Sequence, residues 1–132
     1  METLIRLREA VGPAVGANFD PSHLFWMGAD PLAATRALGD AIYHVHAKDT
    51  RIDPVTSGVN SRIDTKPVDR LRERSWSYVT LGYGHDVLWW KEFCALLRLA
   101  GYDDVLSIEH EDLLLPPLDG VRKSVALLRE AI

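Results

Sequence analysis

"YHVHAKDT", residues 43–50, places two histidines, a lysine and an aspartate in a run that otherwise has the composition of a buried strand. Successive side chains along a strand point to opposite faces. His44, His46 and Lys48 therefore share one face, and the apolar residues between them share the other. This alternation predicts a strand with one face packed against a core and the other face lined with ionisable groups.

Two further segments repeat this design. "AVGANFD", residues 14–20, places Asp20 at its carboxyl end, and "DVLSIEHE", residues 104–111, places Glu109 and Glu111 near its own. In each segment polar side chains share one face of the predicted strand and apolar side chains share the other. The sequence therefore predicts three strands whose most ionisable residues lie at their C-terminal ends.

Helical patterns separate these strands. Apolar residues recur at helical spacing, and glycine, proline or aspartate stands at most of the boundaries. The predicted helices are residues 2–11, 31–38, 87–100 and 118–132. Strands separated by helices imply parallel pairing through right-handed crossovers. The predicted fold class is therefore α/β, with parallel strands, helices on the outer face and a single domain, residues 1–132.

Residues 51–76 form the longest segment without a sustained period. The segment interleaves five arginines and one lysine with four acidic residues, and it contains two prolines and a glycine. Connections of this length inside compact domains tend to be functional lids or disordered. We predict a long loop between a strand and the following helix, with the function of a lid.

The chain has the composition of a globular domain: 132 residues, 47% hydrophobic and 26% charged. Its net charge of −4 disfavours nucleic acid as a partner, since nucleic-acid binders usually carry a basic surface. No run approaches the ~20 apolar residues of a membrane helix, and the charged amino terminus does not resemble a signal peptide. Cys94 is the only cysteine, so no internal disulfide can form. We expect a cytoplasmic protein.

Asp20, His46 and Glu109 stand at the same end of three parallel strands, where α/β proteins place their active sites. Two carboxylates and one imidazole make a ligand set suited to Mn²⁺, Mg²⁺ or Zn²⁺. His46 is preferred to His44 because it lies nearer the strand end. Structural roles compete with this hypothesis, because a histidine in a strand is often a packing residue and Asp20 before Pro21 fits a turn. Glu109 is harder to explain in that way, since a carboxylate within an apolar strand needs a partner or a metal.

Two longer stretches resemble a known family. "NFDPSHLFWMGADPLAATRALGDAIYHVHAKDT", residues 18–50, and "GYGHDVLWWKEFCALLRLAGYDDVLSIEHED", residues 82–112, resemble the sugar phosphate isomerase/epimerase family of xylose isomerase-like TIM barrels. The resemblance implies a partial TIM barrel, about the last three βα units of a (β/α)8 barrel that usually takes ~200 residues or more. It also implies either a homo-oligomer or an amino-terminal half of the barrel outside this chain.

The resemblance further implies a metal site. In the family one divalent metal ion is held by a glutamate, an aspartate, a histidine and a second glutamate. The last three fall on Asp20, His46 and Glu109, and the first glutamate has no counterpart in this chain. Glu109 is also the implied catalytic acid or base. The predicted substrate-binding residues are His23, in the D-x-x-H motif, Arg51 and Lys48.

Lys48 lies on the same face of the predicted strand as His46 and therefore points toward the site. There it either neutralises developing charge or pairs with Glu111.

The implied function is an isomerase or epimerase that removes a proton next to a carbonyl of a sugar, a polyol or a sugar phosphate, through a metal-stabilised enediolate. Three alternatives stay open. One is a lyase of the inosose dehydratase kind on the same metal site, and another is a truncated, non-catalytic barrel fragment that needs a partner chain. A nuclease of the endonuclease IV type ranks last, because the sequence shows neither its additional metal ligands nor a basic groove.

Overall fold

The computed structural model describes residues 1–132, which form five strands and six α-helices. The strands are β1 (Ala17–Phe19), β2 (Ile42–Ala47), β3 (Asp49–Ile52), β4 (Trp76–Val79) and β5 (Leu106–Ile108). The helices are α1 (Glu2–Val11), α2 (Pro21–Met27), α3 (Pro31–Leu38), α4 (Pro54–Asn60), α5 (Val87–Leu99) and α6 (Pro117–Ala131).

Three of the strands, β1, β2 and β5, form a parallel sheet with β2 in the centre. The register between β2 and β5 places His46 opposite Ser107. The main-chain N–H of Glu109 still donates to the carbonyl of Ala47 at 3.2 Å, so hydrogen bonding continues one residue past β5. The predicted α/β class with parallel strands and helices is confirmed.

The main hydrophobic core joins the parallel sheet to α3, α5 and α6. Val45 and Ala47 of β2 are completely buried in it, as are Trp90 and Phe93 of α5. Phe93 also contacts Phe19 of β1, with ring centroids 5.9 Å apart. Because burying each large side chain stabilises the fold by about 1.5–3 kcal/mol, this packing holds the strand ends in fixed positions.

Aspartates begin four of the helices. The side chains of Asp20, Asp30, Asp53 and Asp86 accept hydrogen bonds from main-chain N–H groups in the first turns of α2, α3, α4 and α5. Such caps are typically worth about 1 kcal/mol each. Helix α2 was not predicted, although Asp20 and Pro21 at its start are a standard helix-initiating pair.

Residues 51–76 are more regular than the sequence predicted. They contain the end of β3, all of α4 and the first residue of β4, and β3 pairs with β4 in an antiparallel sheet. The carboxylate of Asp64 accepts main-chain hydrogen bonds from Lys66 at 3.0 Å and Ser75 at 2.7 Å, which hold its pKa well below the usual range. The sequence pattern did not show this regular structure, because the pairing joins strands that lie far apart in the sequence. The function of a lid stays a prediction.

None of the six helices has both the length and the hydrophobicity that crossing a membrane requires.

The predicted third strand is shorter than its sequence pattern, since regular pairing covers only Leu106–Ile108. Glu109 therefore lies just beyond β5, at the edge of the sheet where β1 and β2 also end.

Candidate metal centre

Three side chains meet at the C-terminal edge of the parallel sheet. Asp20 follows β1, His46 lies near the end of β2 and Glu109 follows β5. One potential ligand atom from each residue lies within 4.8 Å of those of the other two. Oxygen and nitrogen atoms bound to one ion at ~2.0–2.2 Å lie at most about 4.4 Å apart. Small side-chain rotations therefore suffice to bring all three residues onto a single ion.

The carboxylate of Asp20 has two roles: one oxygen caps a helix and the other faces the cluster. Its Oδ1 accepts the main-chain N–H of Ser22 at 2.8 Å, which caps α2. Its Oδ2 lies 3.9 Å from Nδ1 of His46 and 3.4 Å from Nε2 of His23. The helix cap thus fixes the carboxylate and leaves one oxygen directed at the cluster.

The carboxylate of Glu109 contacts two basic side chains. Its Oε2 lies 2.7 Å from Nδ1 of His46, and its Oε1 accepts a hydrogen bond from Nζ of Lys48 at 2.6 Å. The hydrogen bond from Lys48 outweighs partial burial and lowers the pKa of Glu109. The residue is therefore ionised at neutral pH, which is the form that binds a metal ion.

Lys48 is buried beneath the cluster. Its ammonium group contacts Glu109, lies 3.2 Å from Oε2 of Glu111 and lies 4.0 Å from the centre of the Tyr78 ring. Burial lowers the pKa of Lys48, but the two carboxylates outweigh that effect and raise it above the ordinary value. Lys48 thus carries a full positive charge, and it pairs with Glu111, one of the two roles suggested by the sequence.

The two histidines of β2 occupy different places. Nε2 of His46 lies 3.4 Å from the side-chain amide of Asn18, a neighbour on β1 that orients the imidazole. His44 meets the ring of His46 edge-on, with centroids 5.5 Å apart, and lies outside the three-residue cluster. The geometry favours His46 as the ligand.

Of the three predicted substrate-binding residues, the structure brings two to the cluster. His23, on α2, contacts Asp20 and lies with its Nδ1 3.2 Å from the hydroxyl of Tyr78, while about half of its side chain is exposed. Lys48 contacts Glu109 directly. Arg51 is exposed on β3, and its side chain forms no hydrogen bond or salt bridge.

Comparisons with known proteins identify the family of the chain. A family model described as the xylose isomerase-like TIM barrel matches residues 1–131. The chain belongs to this family. The uncharacterized protein YfiH of Bacillus subtilis (strain 168) is 53% identical over 131 residues, which are 99% of this chain and 42% of YfiH. The crystal structure of a xylose isomerase domain protein from Planctomyces limnophilus is 27% identical, with a TM-score of 0.62, and the match covers 97% of this chain and 39% of that one.

The match to these relatives confirms the predicted partial TIM barrel. The chain spans about two fifths of the length of each relative, 42% of YfiH and 39% of the Planctomyces protein. Three parallel strands are likewise fewer than the eight of a closed barrel. The cluster at their C-terminal ends lies where barrels of this architecture carry their active sites.

The donor set of the cluster fits a divalent metal ion. Asp20 and Glu109 offer hard carboxylate oxygens and His46 offers an imidazole nitrogen, a combination that binds Mn²⁺, Mg²⁺ or Zn²⁺. The pairing of Glu109 with Lys48 and the contact of His46 with Asn18 hold these ligands in place, as outer groups do in metal sites. The assignment of Asp20, His46 and Glu109 as metal ligands stays a prediction, and the structure gives the distances between them.

Tyr78, which the sequence pattern did not indicate as a site residue, lies on β4 beside the cluster. Its hydroxyl contacts His23 and its ring lies over the ammonium group of Lys48. The alternating run "WSYV", residues 76–79, is the local signal that it belongs to a strand. Its position near the site depends on the pairing of β3 with β4, which the sequence pattern does not show.

Asp49 was also missed, and it is the most completely hydrogen-bonded carboxylate near the site. Fully buried, it accepts main-chain hydrogen bonds from Thr50, Gly82, Gly84 and His85, and its Oδ1 lies 2.8 Å from Nδ1 of His85. At Gly84 a Cβ atom would lie 2.3 Å from the carbonyl oxygen of Thr50, so only glycine fits. Asp49 therefore fixes the loop that precedes α5 against the start of β3.

Proposed function

We propose that this chain carries part of the active site of a divalent-metal-dependent isomerase or epimerase that acts on a sugar, a polyol or a sugar phosphate. The observation that supports this function is the meeting of Asp20, His46 and Glu109 at the C-terminal edge of the sheet, with ligand atoms within 4.8 Å of one another. Membership of the xylose isomerase-like family and the similarity to a xylose isomerase domain protein of Planctomyces limnophilus also support it.

A bound divalent cation supplies positive charge that acidifies a carbon-bound proton next to a carbonyl group. The residues of the chain supply the remaining groups. Oε1 of Glu109, ionised and held by Lys48 at 2.6 Å, is the proposed site that takes up this proton and returns it. The ammonium group of Lys48 offsets the negative charge that develops on the substrate, and its burial strengthens that interaction.

His23 and Tyr78 are the proposed contacts to a substrate hydroxyl group. The imidazole of His23 is half exposed beside Asp20, and the hydroxyl of Tyr78 lies 3.2 Å from it. Burial raises the pKa of Tyr78, so its hydroxyl keeps the proton that it donates. Arg51 lies on β3, outside the cluster. It would contact only a substrate that extends along the antiparallel sheet.

We propose further that a glutamate from another part of the barrel completes the ligand set. Asp20, His46 and Glu109 provide three ligands, and the family resemblance calls for four. A second copy of the chain or a separate amino-terminal half of the barrel would supply the fourth ligand, in agreement with the two-fifths coverage of the relatives. A non-catalytic fragment that needs a partner chain is the second candidate function, favoured by the same coverage.

Metal titration tests the ligand assignment. We expect Asp20→Ala and His46→Ala to weaken Mn²⁺ binding by at least about tenfold in isothermal titration calorimetry, since each removes a donor atom. His23→Ala is the matched control, because it changes a neighbouring imidazole that is not assigned as a ligand. Equal losses in all three variants would argue against the assignment, and the absence of Mn²⁺ binding to the unaltered chain would refute it.

Deuterium exchange tests the reaction class. The chain is incubated with Mn²⁺ and a panel of aldoses and ketoses in D₂O, and proton NMR follows exchange at the carbon next to the carbonyl. Exchange with formation of an isomer supports the isomerase or epimerase, and exchange with loss of water supports the dehydratase-like lyase. Metal binding without exchange, in a preparation that stays monomeric, supports the non-catalytic fragment.

A further inference from the structure

A cavity of about 430 Å³ lies beside the metal centre, between the antiparallel sheet and the loop that follows β5. Tyr78 and Glu111 line it, and both contact Lys48, whose ammonium group also binds Glu109. The volume lies within the ~300–1,000 Å³ range of small-molecule sites. The end of a substrate remote from Glu109 therefore has room to extend into this cavity.

Arg74 brings a buried positive charge to the cavity wall. The residue is 4% exposed, and its guanidinium group lies 4.3 Å from the centre of the Trp76 ring. Its Nε donates to the carbonyl of Trp76 at 3.1 Å, and its Nη1 donates to the carbonyl of Lys66. No carboxylate forms a salt bridge with Arg74. Buried charges are normally paired, so this cation lies in the cavity wall without a counter-ion.

The carboxylate of Glu111 also lines the cavity, and it shares the ammonium group of Lys48 with Glu109. Glu111 pairs with Lys48 at 3.2 Å, and about half of its side chain is exposed to solvent. Ser77 and Tyr78 of β4 also line the cavity, as does His110. The cavity wall therefore holds one cation without a carboxylate partner, Arg74, and one carboxylate, Glu111, which contacts Lys48, while Leu71 and Leu113 provide apolar surface.

We propose that this cavity binds an oxyanion at the end of the substrate remote from the metal centre. Arg74 is its charge partner, and Ser77 and the ring of Tyr78 line the same cavity. A phosphate monoester and a carboxylate both supply this chemistry. The inference rests on the proposed function, and it narrows the substrate class from sugars, polyols and sugar phosphates to sugars that carry an anionic group.

Calorimetry on the complete 132-residue chain tests this preference with D-fructose, D-fructose 6-phosphate and D-glucuronate. We expect at least one of the two anionic sugars to bind about tenfold or more tightly than fructose, both without metal and with Mn²⁺. Whichever of the two binds more tightly identifies the oxyanion. Equal affinity for all three sugars, or no binding of either anionic sugar, overturns the proposal.

Substitutions test the role of Arg74. Arg74→Gln is expected to weaken binding of the preferred anionic sugar by about tenfold and to leave fructose unaffected. Arg72→Gln is the matched control, because it removes the same charge from an exposed residue two positions away and is expected to change affinity less than about twofold. Equal losses in the two variants would show general electrostatic attraction and overturn the site. If circular dichroism shows that Arg74→Gln is unfolded, Ser77→Asp replaces it, and retention of the anion preference in that variant overturns the proposal.

Separate metal titrations distinguish this inference from the proposed function. Failure of Mn²⁺ to bind the unaltered chain overturns the metal centre, and with it the assignment of the cavity as a substrate site. Mn²⁺ binding together with equal affinity for neutral and anionic sugars overturns the oxyanion site alone.

Discussion

The parallel and antiparallel sheets both hold carboxylates, and they differ in what those carboxylates bind. At the edge of the parallel sheet, Asp20 and Glu109 contact mainly side chains, and each directs an oxygen at His46. At the antiparallel sheet, Asp49 accepts four main-chain N–H groups and contacts one imidazole. Asp112 similarly accepts the main-chain N–H groups of Thr80 and Leu114.

This difference separates carboxylates that hold the fold from carboxylates that remain available to a ligand. Main-chain donors are fixed by the path of the chain, so Asp49 cannot exchange them for a metal ion without unfolding the loop it holds. By contrast, Oδ2 of Asp20 and Oε2 of Glu109 accept no main-chain N–H group and face His46, which is itself a proposed ligand, so both oxygens remain available to a cation. Burial alone would have ranked Asp49 above Glu109 as a functional residue, and hydrogen-bond partners reverse that ranking.

The largest effect is expected from Asp49→Ala. Removing this buried carboxylate leaves four main-chain N–H groups without their acceptor, the buried one of Thr50 and the part-buried ones of Gly82, Gly84 and His85, so the free energy of unfolding should fall by about 3 kcal/mol or more. Urea denaturation followed by tryptophan fluorescence measures this loss. Asp103→Ala, at an exposed aspartate, is the control and should change stability by less than about 0.5 kcal/mol. A similarly small change in stability for Asp49→Ala would show that Asp49 does not hold the fold, and the proposed difference between the two sheets would be wrong.

Glu109→Gln should have the opposite profile. The amide cannot replace an anionic ligand, so we expect Mn²⁺ affinity to fall by about 10–100-fold while the unfolding midpoint in urea changes little, because Lys48 keeps its pairing with Glu111. Calorimetry and denaturation on the same preparation make the comparison. The control is Glu92→Gln at an exposed position on α5. A loss of stability as large as that of Asp49→Ala would place Glu109 among the carboxylates that hold the fold.

Asp112→Asn is expected to act on stability in a pH-dependent way. Burial raises the pKa of Asp112, but hydrogen bonds from Thr80 and Leu114 outweigh that effect and lower it. A depressed pKa stabilises the folded state above the ordinary aspartate value of about 3.9, and this contribution is lost as the pH falls through the lower folded value. The variant should lose about 1–2 kcal/mol at pH 7 and show a shallower loss of stability on acidification. Identical acid denaturation curves for the variant and the original chain would contradict this role.

The smallest effect is expected from Tyr78→Phe. The substitution keeps the ring over Lys48 and removes only the hydroxyl beside His23, so the free energy of unfolding should change by less than about 1 kcal/mol. Mn²⁺ affinity should change by less than about threefold, since no ligand is lost. The affinity for an anionic sugar should fall more than the affinity for Mn²⁺. A large loss of metal binding would mean that the antiparallel sheet supports the metal centre directly.

Local pattern predicted the part of the site that lies on the parallel sheet. Strand parity placed His46 and Glu109 on one face, and the order of strands and helices implied that Asp20 ends at the same edge. These inferences succeed because face alternation and parallel pairing through helices are repeated features of the backbone. Helix starts were equally local, and the cap at Asp86 begins α5 as the sequence indicates.

Other features depend on contacts between residues far apart in the chain. Three of the four main-chain donors to Asp49 lie more than thirty residues later, at Gly82, Gly84 and His85. Asp64 likewise accepts a hydrogen bond from Ser75, at the other end of the segment predicted to be a loop. No short-range period records such a pairing, so the antiparallel sheet was missed. The same pairing brings Tyr78 to His23 and carries Arg74 into the wall of the cavity.

The sequence by itself determined the class of fold, the parallel strands and the three residues proposed to hold a metal ion, because side-chain alternation and helix caps act over a few residues. Only the tertiary structure decided which carboxylates accept main-chain N–H groups, which carboxylates pair with Lys48 and that the guanidinium group of Arg74 lies in the cavity wall. Those outcomes depend on the docking of one sheet against the other, and the physical reason is that hydrogen bonds and burial are set by distance in space, not by separation along the chain.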